Sequence, residues 1–289
     1  MFKGVKLFVC ILPRKLCLFM GKLIGLAFYS LDKRHRLIAL SNVKNALGAE
    51  FPSSILAKIA CKSFVHFGKT LVDLIKFSQL DEEQKTKLIT VEGEDNLDKA
   101  LGMGKGILLF SAHYGNWEIA PFFLSKKGRF NVIARRLDNI LLEKEIIKIR
   151  TKLGSCVIYK QLAARPTLQS LRAKEIVAIL IDQNVLRNQA VFVDFFGKEA
   201  ATTPSLAAFF LRTESPLVPA FCYPDSRDAY RIRIMEPLNV GLSGNYDQDV
   251  LKITQICTKI IEVQIREKPE YWAWFHNRWK TRPRNEVEQ

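Results

Sequence analysis

Two hydrophobic rhythms alternate along the chain. Ile55, Ile59, Phe64, Phe67, Leu71 and Leu74 recur at helical spacing behind Pro52-Ser53-Ser54, which predicts a helix running to about Phe77. After the polar connector Asp81–Lys87, short apolar runs at 90–92, 106–111, 131–134, 155–158, 176–181, 217–222 and 230–235 read as strands. Between or after them, 95–101, 116–126, 140–153, 166–174, 204–213 and 247–267 carry helical periodicity. The run Ile107-Leu108-Leu109-Phe110 is short, continuous and apolar, as a strand buried on both faces should be. Strands alternating with helices predict an α/β fold, a largely parallel sheet flanked by helices. No internal repeat, low-complexity run or long linker interrupts the pattern, so residues 46–289 are expected to form one domain.

The first 45 residues differ. They hold nine basic side chains against one acid, a net of +8 within a chain whose formal charge is +15. Such a balance suits nucleic acid, an anionic membrane or an acidic protein. The interleaving decides, because Arg14, Lys15 and Lys22 alternate with Leu7, Phe8, Leu12, Leu16, Phe19, Leu23, Ile24 and Phe28. Nucleic-acid arms have no need of so much apolar surface, whereas helices lying in a membrane interface do. A basic amphipathic membrane-association segment over 1–45 is the expectation, with no nucleic-acid partner. The longest apolar stretch, Leu16 to Leu31, carries Lys22 and reaches only about 24 Å of a roughly 30 Å hydrocarbon core. An in-plane helix, a short tilted span and an ordinary core helix with snorkelling lysines all remain open.

Candidate chemistry is concentrated just beyond the buried run, in His113-Tyr114-Gly115-Asn116-Trp117-Glu118. Asn116 is placed to cap the following helix. On one straight helix, His113 and Glu118 would stand roughly 140° out of phase. They meet only if His113 precedes the helix, on a turn that Gly115 eases. A neutral imidazole held by a carboxylate is the base-plus-orienter half of a catalytic triad. The plain alternative is a His satisfying a carbonyl and a Glu complementing a helix dipole. The four His and six Cys form no metal-ligand spacing and no Cys-x-x-Cys, so no metal is expected and the thiols read as reduced. Gly102-Met103-Gly104-Lys105-Gly106 precedes a strand and lacks Gly-Lys-Ser/Thr, which excludes Rossmann and P-loop readings. No Gly-x-Ser-x-Gly elbow is present. A base without a nucleophile of its own implies that the substrate brings the nucleophile, as a hydroxyl.

The segment LLFSAHYGNWEIAP resembles the His-x4-Asp/Glu motif of membrane acyltransferases. Its His-Tyr-Gly-Asn-Trp-Glu form is similar to the late acyltransferases of lipid A biosynthesis, the lauroyl and myristoyl transferases of Gram-negative bacteria. LDKRHRLIALSNVKNALG, the block Phe195 to Phe221 and PEYWAWFHNRWKTRP resemble three further blocks of that family, in order. The resemblance implies a glycerolipid-acyltransferase-like fold and an acyltransferase domain over 46–289. It implies an acyl carrier protein thioester as donor and a phosphorylated, Kdo-bearing glycolipid acceptor at the cytoplasmic face of the cell inner membrane, without a cofactor. Residue by residue, it implies His113 as general base, Glu118 as its charge partner, and Arg150 and Asp182 as required for substrate. Asp182 ends an apolar strand, at the usual edge of an α/β site, where it could hold Arg150 or a substrate hydroxyl. Asn184 departs from a second acid common in relatives, and Pro204-Ser205 from a more usual glycine. For the basic-aromatic tail, Arg278 and Lys280 are expected at headgroups beside Trp274 and Trp279, with core packing of the tail as the alternative.

Overall fold

The computed structural model describes residue 9 and residues 11–225 and 229–284. Lys3, Lys6, Leu7, Phe8 and Cys10 of the basic N-terminal segment lie outside the described residues. Three helices come first: α1 (Arg14–Leu31), α2 (Lys33–Leu47) and α3 (Ser53–Phe77). A short α4 (Glu82–Lys87), closed by an Asp81–Gln84 capping box, stands where a connector was expected. Then come β1 (Ile89–Glu92), α5 (Glu94–Gly102), β2 (Ile107–Ser111), α6 (Pro121–Leu124), β3 (Phe130–Ala134), α7 (Ile140–Lys152), β4 (Ser155–Tyr159), α8 (Ala164–Arg172) and β5 (Ile176–Leu180). The hairpin β6 (Val191–Phe195) and β7 (Lys198–Thr202) precedes α9 (Ser205–Thr213), β8 (Leu217–Pro224), β9 (Tyr230–Ile234) and α10 (Tyr246–Glu267).

Seven strands form one sheet in the order β1-β9-β8-β2-β5-β3-β4. All neighbours run parallel except β8 and β9. The expected α/β architecture with a mostly parallel, helix-flanked sheet is therefore observed. β2 shows why its run is apolar throughout: Leu108 and Phe110 enter one core with α3, α9 and α10, while Ile107 and Leu109 enter the other with α5 and α7. Successive side chains of a strand point to opposite faces, so a central strand covered on both sides reads as a continuous apolar run.

Two expectations are corrected. The helix expected over 116–126 is only α6, with turns from Trp117 to Ala120. Pro121 lacks a backbone donor and its ring collides with a preceding turn, so a helix can begin there but not run through it. The β6–β7 hairpin was not anticipated within the central block. Its turn residues Phe196 and Gly197 have φ of 58° and 74°, as a tight hairpin turn demands.

The N-terminal segment is built into the body. Cys17, Gly21 and Gly25 form a buried small-residue stripe on α1, facing α3. A Cβ at Gly25 would overlap the backbone of Phe64, and one at Gly68 the backbone of Gly21. The opposite face of α1 displays Leu16, Phe19, Leu23 and Ile24 with Lys15 and Lys22. Among the described residues, no helix is long and apolar enough to cross a membrane.

Candidate active site

Strand register brings the site together. Ser111 of β2 pairs with Leu180 of β5, so the residues two positions beyond each, His113 and Asp182, emerge side by side at the carboxyl edge of the sheet. The Asp182 carboxylate lies 2.9 Å from His113 Nδ1 through Oδ1. Its Oδ2 accepts the His113 backbone N–H at 3.0 Å and the Trp272 indole N–H at 2.8 Å. Burial pushes this carboxyl up, but the charge of His113 and three hydrogen bonds outweigh it and hold its pKa at about 2. Asp182 is thus a carboxylate at neutral pH, and an acceptor-only group at Nδ1 forces the ring proton onto that nitrogen. Nε2 is left as the basic lone pair. The Gln183 amide nitrogen is 3.3 Å from it, and the Trp117 ring stands edge-on to the imidazole with centroids 4.9 Å apart. The His113 side chain keeps 24% of its surface exposed.

The motif turn is held from three sides. Gly115 sits at φ 63°, and a Cβ there would overlap the carbonyl of Cys222, so only glycine fits. Its N–H donates to Tyr271 O at 2.9 Å, the Asn116 N–H donates to Cys222 O at 2.7 Å, and the Ala273 N–H donates to His113 O at 3.2 Å. The C-terminal stretch 271–273 thereby straps the turn. On the third side, His66 of α3 donates Nε2–H to Gly115 O at 3.0 Å. Burial lowers the pKa of His66 to about 4, so it is neutral there. Ser63, Phe67, Thr70 and Tyr271 complete the cleft around His113.

The expected pairing of His113 with Glu118 is corrected. Glu118 takes a two-point grip on Arg150, Oε2 to Nε at 2.9 Å and Oε1 to Nη2 at 2.5 Å. The turn from Trp117 to Ala120 carries Glu118 away from the ring, and α7 offers it a guanidinium with five donors in a matching fork. Asp182 accordingly holds His113 and not Arg150. Arg150 retains its charge because Glu118 more than offsets the desolvation that burial imposes.

Two expected headgroup contacts are also corrected. Arg278 is fully buried, donating to Ala201 O at 2.6 Å and Thr202 Oγ1 at 2.5 Å, with its guanidinium 5.2 Å from the Phe195 ring centroid. Burial lowers its pKa to about 10. Arg14 turns inward to grip buried Asp73 of α3 at 2.7 Å and 2.5 Å. Lys15, Lys22 and Lys280 are exposed.

Several site residues escaped the sequence reading. Asp73 accepts the Tyr230 hydroxyl at 2.5 Å, and that hydroxyl accepts from Asn116 Nδ2 at 3.0 Å. A chain of polar contacts therefore runs from Arg14 of α1 to the motif turn, and Asn116 serves it instead of capping a helix. Asn184 exchanges hydrogen bonds with Thr281, donating Nδ2–H to Oγ1 and accepting the backbone N–H, each at 3.0 Å. A carboxylate in its place could not make the first of these. His276 accepts the Asn184 N–H at 3.0 Å, and burial lowers its pKa to about 4. Three of the four His thus gather here, a signal that only the fold reveals.

The chain matches the family model "Bacterial lipid A biosynthesis acyltransferase" over residues 2–281. It is 26% identical over 245 residues to a phosphatidylinositol mannoside acyltransferase of Mycobacterium tuberculosis, covering 82% of this chain and 75% of that one. It is 24% identical over 274 residues to the lipid A biosynthesis palmitoleoyltransferase of Escherichia coli, covering 94% and 87%. A lipid A biosynthesis acyltransferase of Haemophilus influenzae is 25% identical over 192 residues, covering 66% and 58%. With a match that takes in the His113 turn, the Asp182 strand end and the C-terminal strap, the chain belongs to the bacterial lipid A biosynthesis acyltransferase family.

Proposed function

We propose that the protein transfers a fatty acyl chain from an acyl carrier protein thioester to a hydroxyl of a phosphorylated, Kdo-bearing lipid A precursor, at the cytoplasmic face of the inner membrane. One observation carries the mechanism: the Asp182 carboxylate on His113 Nδ1, which leaves Nε2 as an available base. Nε2 takes the proton of the acceptor hydroxyl as its oxygen attacks the thioester carbonyl. Asp182 stabilises the imidazolium so formed. The tetrahedral intermediate collapses by breaking the C–S bond, and the departing thiolate receives the proton from the imidazolium. No acyl-enzyme forms.

The amides of His113, Gly115 and Asn116 are already donated to Asp182, Tyr271 and Cys222. Two Arg150 donors are engaged by Glu118. These groups position the base and leave the oxyanion to other donors, of which the Gln183 amide lies beside Nε2. Glu118 and Arg150 tie the motif turn to α7. The exposed Lys15 and Lys22 and the outward apolar stripe of α1 suit an anionic interface, as does Lys280. The donor's acidic carrier fits the chain's charge of +15.

Acyl transfer from labelled carrier thioesters of several chain lengths to the Kdo-lipid A precursor tests this reading. Wild type is expected to transfer, and His113→Ala to lose about 10²–10⁴ in turnover. Near-normal activity in His113→Ala would sink the mechanism. The similarity to phosphatidylinositol mannoside acyltransferases favours a second reading, the same chemistry on a mannosylated phosphoinositide. Both acceptors offered side by side decide between them.

A further inference from the structure

The carboxyl edge of the sheet that presents His113 also presents a surface the reaction does not use. β3 and β4 run parallel with Ala134 opposite Tyr159, so the segments that follow them, 135–142 and 160–165, leave the sheet as neighbours. From these and the loop after β5, large aliphatic side chains face solvent. Leu137 is 44% exposed, Ile140 58%, Leu141 73%, Leu142 40%, Leu162 81% and Leu186 65%.

The display is held in place from inside. Buried Glu143 accepts the Leu137 backbone N–H at 2.8 Å and the Tyr159 hydroxyl at 2.9 Å. Asn139 caps α7 by accepting the N–H groups of Leu141 and Leu142 at 3.0 Å and 3.1 Å. Glu143, Asn139 and the backbone N–H groups of this segment are thus engaged with one another, and its aliphatic side chains are left outward. A run of exposed aliphatic side chains at one edge of the sheet, four of them within 137–142, marks an interaction surface.

Charge narrows the occupant. Within 135–142 and 160–165 stand four basic residues, Arg135, Arg136, Lys160 and Arg165, against Asp138 alone, which Arg135 already engages at 2.6 Å. Aliphatic tips among solvated cations match an anionic bilayer surface. Protein-docking cores instead favour aromatic anchors, whereas here the one adjoining aromatic, Tyr159, ties its hydroxyl to buried Glu143 and the outermost side chains are aliphatic. Position agrees. The His113 cleft is walled by α3, which carries α1 on its far side, while β5, β3 and β4 lie on the other side of β2. An acceptor anchored by its acyl chains must bring a hydroxyl to Nε2 from a membrane reaching this edge.

We infer that the β3–α7 loop, the first turn of α7 and Leu162 form a second membrane-docking surface for anionic lipid, across the active site from α1. The inference rests on the lipid-acceptor reading above, but its test does not depend on turnover. The full-length protein is floated with vesicles of phosphatidylcholine alone or mixed 3:1 with phosphatidylglycerol. Ile140→Glu/Leu141→Glu is expected to lower partitioning onto the mixed vesicles at least about 10-fold while thermal unfolding is unchanged, since both side chains are exposed. In protein whose Cys10, Cys61 and Cys156 are replaced by Ser, so that only the buried native thiols remain, an environment-sensitive dye on Leu141→Cys is expected to shift to the blue with mixed vesicles and not with acyl carrier protein. Unchanged partitioning, a dye that stays aqueous, a dye that responds to carrier protein without lipid, or a substitution that abolishes self-association in place of vesicle binding would each overturn the proposal.

Discussion

Two carboxylate pairs are built on the motif, His113 with Asp182 and Glu118 with Arg150, and they do opposite things. Asp182 meets His113 at a single nitrogen and leaves the other as a base facing a cleft. Glu118 meets Arg150 at two nitrogens and closes on itself, with 13% and 16% of the two side chains exposed. The first pair stores a proton acceptor; the second neutralises a charge and fastens a turn to α7. The partner decides the role. An imidazole held at Nδ1 keeps chemistry in reserve, whereas a guanidinium forked onto a carboxylate is consumed by the contact.

The sharpest way to break that contrast is Asp182→Asn. Two oxygens here serve three donors, His113 Nδ1–H, His113 N–H and Trp272 Nε1–H. An amide must turn its NH₂ toward either Nδ1, moving the ring proton to Nε2, or toward two other N–H groups. Turnover is expected to fall about 10³–10⁴-fold in the transfer assay, in line with the known cost of the wrong tautomer in a His–Asp pair. A loss under tenfold would mean that Asp182 does not orient the base.

Glu118→Met and Arg150→Met are expected to act on stability first. Each leaves one charge buried without its partner, at a cost of about 2–4 kcal/mol, reduced from the fully buried case because both groups retain some exposure. The double variant is expected to be more stable than either single one, which denaturant melts of all three would show. Additive losses would place the function of the pair outside their mutual contact.

The buried histidines sharpen the comparison through pH. His66 and His276 have folded pKa values of about 4 against 6.5 when unfolded. Depressed values mean that stability is full above pH 6.5 and is lost as pH falls toward 4, by up to about 3 kcal/mol for each group. Asp182, lowered from 3.8 to about 2, adds a further loss only below pH 4. Melting temperature followed from pH 7.5 to 4 is expected to fall below 6.5, and His276→Gln to flatten part of that slope. A flat profile across the window would contradict buried neutral imidazoles.

Tyr230→Phe is the mildest probe. It removes the hydroxyl between Asp73 and Asn116 while leaving the Arg14–Asp73 grip intact. A loss of about 1–3 kcal/mol is expected by chemical denaturation, with α1 still docked as judged by limited proteolysis. Release of α1 would show instead that the hydroxyl anchors the N-terminal helix.

Much of this was legible in the residues. The continuous apolar run Ile107–Phe110 marked β2 as a strand covered on both faces, where a polar side chain would lose its water. Gly115 after His113 announced a turn at the strand end. Other features were hidden in context. Arg14 and Arg278 resemble any basic residue beside apolar neighbours, and only packing shows one gripping Asp73 and the other sealed beneath Phe195. Pro121 was a visible veto on a long helix after the motif. Val191-Phe192-Val193-Asp194-Phe195 before Phe196-Gly197 was a visible hairpin signal.

By itself, then, the sequence determined the periodicity, the α/β class and the place of His113 on a turn at a strand end. These depend on local spacing and on which residues tolerate water. The tertiary structure decided which carboxylate holds His113. Glu118 is five residues away and Asp182 sixty-nine, yet β2 and β5 are neighbours in register. Strand order is set by the packing of the whole sheet, and no local pattern encodes it.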